Sequence, residues 1–91
     1  MDKNIPFTQY LRPYGHTREV SIARPADVYE KAMKIKEAGY RFEVEELTTG
    51  HVSMTISKND EDHDIELVGN GPGVPDAVDR MVNRFYGRMT A

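Results

Sequence analysis

The three histidines have the widest chemical use in this chain. His16, His51 and His63 could act as general acids or bases, because histidine titrates near neutral pH. His51 falls within reach of Glu45 or Glu46 across a predicted hairpin. All three lie in or beside turns of polar sequence, and no spacing brings three or four zinc ligands together. We therefore interpret them as solvated loop side chains and expect no catalytic and no metal site.

Two other segments suggest ligand loops but depart from the known patterns. In the acidic run that starts at Asp60, the sixth and twelfth positions of an EF-hand loop would be Ile65 and Gly71, not glycine and glutamate. The glycine-rich residues 69–73 precede a predicted helix, where phosphate can bind. No Gly-Lys-Ser follows, and Asp76 and Asp79 would repel phosphate. We interpret the two segments as an acidic hairpin tip and a connector, and expect no cofactor.

Nucleophilic catalysis also lacks its usual residues. The chain has no cysteine, which excludes thiolate chemistry and disulfides. Ser21, Ser53 and Ser57 lie on predicted strands, and no Gly-x-Ser-x-Gly elbow occurs. We expect a protein that is not an enzyme.

Aromatic and charged residues on one predicted sheet face form the main candidate for binding. Tyr and Arg are enriched where protein partners bind, and both stack on nucleic-acid bases. The alternative is an ordinary exposed face, since single exposed aromatics are common. An arginine row on the last helix, spaced four residues apart, fits the solvent side of that helix. The residues that we predict to bind a partner are Tyr10, Arg12, Tyr14, Arg41, Glu43 and Glu45.

Residues 40–68 contain the predicted strands that form most of this face. Apolar and polar residues alternate there with period 2, which is typical of strands in a sheet covered on one side. Residues 48–50 and 59–62 supply the two turns. The residues that we expect to face the core are Tyr40, Phe42, Val44, Val52, Met54, Ile56, Ile65 and Leu67.

The flanking sequence predicts a hairpin and two helices. Residues 7–12 and 19–23 form the hairpin strands, and residues 1–6 form a loose segment. A helix of about 14 residues runs between Pro25 and Gly39. A second helix opens at Pro75 and stops near Gly87. Its apolar residues recur at helical spacing from Val74 onward.

These elements predict one α+β domain spanning residues 1–91, with the order ββαβββα in two layers. The sheet has five strands, is mainly antiparallel and has the order 2-1-3-4-5, with both helices on one face. The crossover favours parallel second and third strands, and the first strand between them would then be antiparallel to both. The second and fifth strands are edges through which a homodimer could form.

The composition restricts the classes of partner that we expect. The net charge of −3 and pI near 5.5 disfavour general binding to phosphate backbones. No apolar run reaches the roughly 20 residues of a membrane helix, so we expect a cytoplasmic protein.

Four stretches carry a resemblance: residues 5–15, 38–45, 52–56 and 70–82. Together they resemble small uncharacterised bacteriophage and prophage proteins with no known activity. This resemblance implies a phage-encoded accessory protein in the cytoplasm of a bacterial host, and it carries over no functional residue. The element order from Pro25 onward also looks like that of double-stranded RNA-binding domains. Those domains place lysines where this chain has Val74 to Asp79, which argues against RNA binding.

The expected function is therefore a non-enzymatic accessory module that binds a host or phage protein. The alternative is a nucleic-acid-binding domain that uses the open sheet face.

Overall fold

The computed structural model describes residues 2–11, 16–47 and 49–91, apart from the side chains of Leu11 and His16. The elements are β1 (Asp2–Leu11), β2 (His16–Pro25), α1 (Ala26–Glu37), β3 (Arg41–Glu46), β4 (His51–Lys58), β5 (Glu61–Gly69) and α2 (Val74–Met89). One sheet holds all five strands in the order β2-β1-β3-β4-β5. The predicted α+β class and strand order are confirmed.

One hydrophobic core joins the helices to one face of the sheet. Phe7 of β1 and Phe42 of β3 pack edge to face, with ring centroids 5.4 Å apart, a favourable aromatic geometry. Both helices contribute apolar stripes at helical spacing, as predicted. The helical residues buried in this core are Val28, Ala32, Ile35, Ala77, Val78, Met81, Val82 and Phe85. In the described part of the chain, no helix lies on the other face of the sheet.

The N-terminal segment differs from the expectation of a loose stretch at residues 1–6. β1 begins at Asp2 and pairs with β2 as far as Pro25. Ile5 is fully buried beside Ile22, because it lies two residues from Phe7 and therefore on the same strand face. Gln9, also on that face, donates to the Glu46 carboxylate at 2.7 Å, which satisfies its buried amide.

The strand directions also correct the prediction. β1 and β3 run parallel, with Thr8 beside Glu43, so β2 and β3 are antiparallel to each other. α1 starts directly at the end of β2 and spans only about 18 Å at 1.5 Å per residue. It crosses β1 and β2 on one face of the sheet, and β3 then runs in the same direction as β1.

A bulge reverses the expected orientation of β5. Asn59 and Asp60 both have positive φ, 55° and 62°, which is the geometry of a two-residue hairpin turn. Ser57 pairs with Asp62, but Ile56 pairs with Asp64, so His63 is an extra residue in the ladder. A one-residue shift moves every following side chain to the opposite face. The prediction that Ile65 and Leu67 face the core is therefore wrong, and both are exposed.

The C-terminal end of α1 is closed by a glycine and by a lysine from β4. Gly39 has φ of 98°, and the amide of Tyr40 donates to the carbonyl of Ile35, as in a Schellman motif. Lys58 Nζ donates to the Ala38 carbonyl at 2.9 Å and lies 4.9 Å from the Tyr40 ring centroid. The lysine thus places positive charge at the negative end of the helix.

We expect Lys58→Met to lower the free energy of unfolding by about 1 kcal/mol, because it removes this hydrogen bond and cation–π contact but keeps the apolar stem. Urea unfolding followed by circular dichroism measures the effect. The control is Lys36→Met at an exposed position of α1, with an expected change below about 0.5 kcal/mol. Equal losses in the two variants would contradict the capping role.

α2 extends beyond the predicted stop at Gly87 and ends at Met89. Near its start, Asp79 accepts two hydrogen bonds from Arg24 at the end of β2, one of them at 2.7 Å from Nε. These bonds raise the pKa of Arg24 above its ordinary value. The bidentate pair fixes the N-terminal half of α2 to the edge strand β2.

Candidate functional site

Three rows of side chains cross the open face of the sheet, which is the face without helices. Each row takes one residue from β3, one from β4 and one from β5, because paired residues on neighbouring strands point the same way. The rows are Arg41, Ser57 and Asp62; Glu43, Thr55 and Ile65; and Glu45, Ser53 and Leu67. In the second and third rows the surface therefore changes from acidic on β3, through hydroxyls on β4, to apolar on β5.

β1 extends this face with the predicted aromatic residue. The Tyr10 hydroxyl donates to Glu43 Oε1 at 3.2 Å, and an Arg41 guanidinium nitrogen lies 3.3 Å from the same oxygen. Burial and the neighbouring charge of Glu43 raise the pKa of Tyr10 above its ordinary value. The hydroxyl consequently remains a hydrogen-bond donor at neutral pH.

A polar depression of about 480 Å³ opens beside this group. It lies at the end of the face nearest the β4–β5 turn. Its lining residues are Tyr10, Gly39, Arg41, Glu43, Ser57, Asn59, Asp60 and Asp62.

The apolar end of the face consists of Ile65 and Leu67. Their exposed fractions are 54% and 62%. They lie two residues apart on the edge strand β5 and are the exposed large hydrophobic side chains of the described residues. A pair of adjacent exposed aliphatic residues on a flat strand is typical of a contact surface or of an aggregation-prone edge.

An ion-pair cluster on the helix side explains why β5 keeps this orientation. Asp64 and Glu66 face α2, and Arg84 donates to both, at 2.7 Å and 3.0 Å. Arg80 donates to Glu66 at 3.0 Å, and Arg88 donates to Asp64 at 2.5 Å. The predicted solvent row of arginines is thus paired with the two inward carboxylates of β5.

The cluster changes the acidity of both carboxyl groups. Burial alone would raise the pKa of Asp64, but the hydrogen bonds from Arg84 and the charge of Arg88 outweigh it and lower that pKa. Burial alone would also raise the pKa of Glu66, but the hydrogen bonds from Arg84 and Arg80 outweigh it and lower that pKa. Both groups are therefore ionised at neutral pH.

The structure brings together some of the residues predicted to bind a partner. Tyr10, Arg41 and Glu43 form one contact group, and Glu45 lies on the same face. Arg12 and Tyr14 lie outside the described residues. The role of all these residues in binding stays a prediction.

The two histidines with described side chains, His51 and His63, do not assemble into one site, and the side chain of His16 lies outside the description. His51 Nδ1 lies 3.2 Å from the Thr49 carbonyl oxygen. The His63 ring packs at 5.3 Å against Tyr40. Within residues 2–11, 16–47 and 49–91, no group of three or more His, Asp or Glu side chains is arranged to hold a metal ion.

Comparisons with known proteins supply no relative for this chain. No family model matches it, and no curated protein or solved structure is significantly similar to it. In the described part of the chain, neither helix is long and apolar enough to cross a membrane.

Sequence reasoning missed the exposed pair Ile65 and Leu67 because alternation alone does not say which face is buried. A signal was present in the charges. Asp64 and Glu66 alternate with this pair, and three arginines recur every fourth residue along α2. Pairing these two patterns would have predicted that the carboxylates face the helix and that the aliphatic residues face away from it.

Proposed function

We propose that this protein is a small non-enzymatic binding module whose open sheet face docks onto another protein. The single observation that carries the proposal is the exposure of Ile65 and Leu67 on that face. Their apolar surface adjoins the hydroxyls of β4 and the carboxylates of β3. Protein interfaces combine apolar and polar surface in this way.

The charges of the face support a protein partner over a nucleic acid. Glu43, Glu45 and Asp62 lie on it, and Arg41 contacts Glu43. A phosphate backbone would be repelled by these carboxylates and would compete with Glu43 for the guanidinium. A protein surface with apolar and basic side chains complements the face in both respects.

The arrangement of the titratable groups supports binding rather than catalysis. Acid–base catalysis requires groups within hydrogen-bond reach of one reacting atom. His51 is held at the β3–β4 turn, and His63 packs against Tyr40 on the helix side. In keeping with the resemblance noted above, we propose a phage or host protein in the bacterial cytoplasm as the partner.

Site-specific photo-crosslinking in bacterial cells tests this proposal. A benzophenone amino acid replaces Leu67 on the open face or, as the control, Lys36 on the exposed side of α1. We expect one discrete protein to crosslink at position 67 and not at position 36. The purified partner should then bind the unmodified chain in solution.

Three results would overturn the proposal. The first is an equal set of crosslinks at both positions. The second is a crosslinked protein that fails to bind when purified. The third is crosslinking to nucleic acid, which would favour the alternative function.

A further inference from the structure

The polar depression on the open face has the size and charge of a binding pocket. Its volume of about 480 Å³ exceeds that of any amino-acid side chain. It contains the first row of the open face, in which Arg41, Ser57 and Asp62 lie side by side. A partner that covers Ile65 and Leu67 would also reach this row, two strand positions away.

The pocket is negatively charged even after its internal pairing is counted. Its charged lining residues are the carboxylates Glu43, Asp60 and Asp62 and the guanidinium of Arg41. Three negative charges and one positive charge leave a net charge of −2. Arg41 and Tyr10 both contact Glu43, so the excess negative charge lies at Asp60 in the turn and Asp62 in β5.

A largely buried serine whose hydroxyl opens into the pocket provides an independent sign of a ligand. Ser57 lines the pocket, although only 6% of its surface is exposed. Within the described chain, no side-chain hydrogen bond involves its hydroxyl, and this oxygen is not among the fully enclosed unpaired polar atoms, so it is accessible from the pocket. A donor that enters the pocket would complete the bonding of this oxygen.

We propose that the pocket receives a cationic side chain, an arginine, from the partner protein. A guanidinium offers five donors in a planar fork and can bond the carboxylates of Asp60 and Asp62 while it donates to Ser57. Its charge balances one of the two excess negative charges. The inference rests on the proposed function, since the arginine belongs to the docked protein.

The test is an NMR titration of the isolated protein with N-acetyl-arginine methylamide. The neutral isostere N-acetyl-citrulline methylamide is the control ligand. We expect the arginine probe to shift the amide signals of Ser57 and Asp62 with a dissociation constant of about 1–10 mM, as befits a single side chain. The citrulline probe should produce no saturable shift of these signals.

A charge-matched pair of double variants tests the carboxylates. We expect Asp60→Asn with Asp62→Asn to weaken arginine binding at least about fivefold. Asparagine tolerates the left-handed backbone at position 60, so the turn is kept. Glu30→Gln with Glu37→Gln, both exposed on α1, removes the same charge and should change binding less than about twofold.

Two results would overturn the proposal that the pocket binds arginine: equal shifts with the arginine and citrulline probes, or equal weakening of arginine binding in the two double variants. Either failure is distinct from failure of the docking proposal, which depends on crosslinking at position 67. The probe reports on the pocket without any partner present.

Discussion

Replacing Ile65 and Leu67 with threonine should weaken partner binding by at least about thirtyfold, or about 2 kcal/mol. The two side chains are the exposed large hydrophobic residues of the described chain, and apolar side chains that become buried in an interface dominate its energy. Threonine keeps the high strand propensity of both positions and extends the row of hydroxyls already present on β4. Isothermal titration calorimetry with the purified partner measures the loss.

The folded state should be little affected by the same double substitution. Because both side chains are mostly exposed, we expect the free energy of unfolding to change by less than about 1 kcal/mol. The matched control is Lys36→Thr with Glu37→Thr, which also replaces two exposed residues and conserves the net charge. Unchanged affinity in the open-face variant, or an equal loss in the control, would contradict docking through β5.

The second large effect is expected at Arg84, the residue that joins both inward carboxylates of β5. Arg84→Ala should lower the free energy of unfolding by about 2 kcal/mol, because Asp64 and Glu66 each lose a charged donor while they stay largely buried. Their side chains are only 7% and 16% exposed. The value is below that of a fully buried pair because the Arg84 side chain is 42% exposed.

A double-mutant cycle identifies the cause. In the Arg84→Ala background Asp64 keeps only its bond from Arg88, so Asp64→Asn should cost about 1 kcal/mol less there than in the native chain. In the native background the same substitution breaks the pair and should destabilise. Additive effects of the two substitutions would rule out direct coupling between Asp64 and Arg84.

The cluster also predicts how stability depends on pH. The pKa values of Asp64 and Glu66 lie below their ordinary values of 3.8 and 4.5 in the folded protein. Ionisation of these groups therefore stabilises the fold above the ordinary values, and that stability is lost as pH falls from 4.5 through the lower folded values. Urea unfolding measured across this range should show a flatter dependence for Arg84→Ala than for the native chain. Identical slopes would contradict the role of Arg84.

The two sides of β5 have linked roles. The arginines of α2 hold Asp64 and Glu66 on the helix side, and the alternation of the strand then places Ile65 and Leu67 on the open face. The ion-pair cluster therefore orients the proposed contact surface. Weakening the cluster should also reduce partner binding, in addition to its effect on stability.

Local patterns in the sequence determined much of this architecture. The apolar stripe of α2 from Val78 to Phe85 predicted a buried helix face, and the alternation in β3 and β4 predicted which of their apolar residues face the core. Gly39 marked the end of α1. Such features depend on neighbours a few residues apart, so the sequence contains the information that they require.

Only the tertiary structure decided three features. Burial of Ile5 depends on β1 lying in the middle of the sheet, and the parallel direction of β3 depends on the path of α1 over the sheet. The orientation of β5 depends on His63, one extra residue in the ladder with β4. Alternation with period 2 is equally compatible with either face, because a shift of one residue exchanges the two. The arginines of α2, brought beside β5 by the fold, select the orientation that turns Ile65 and Leu67 outward.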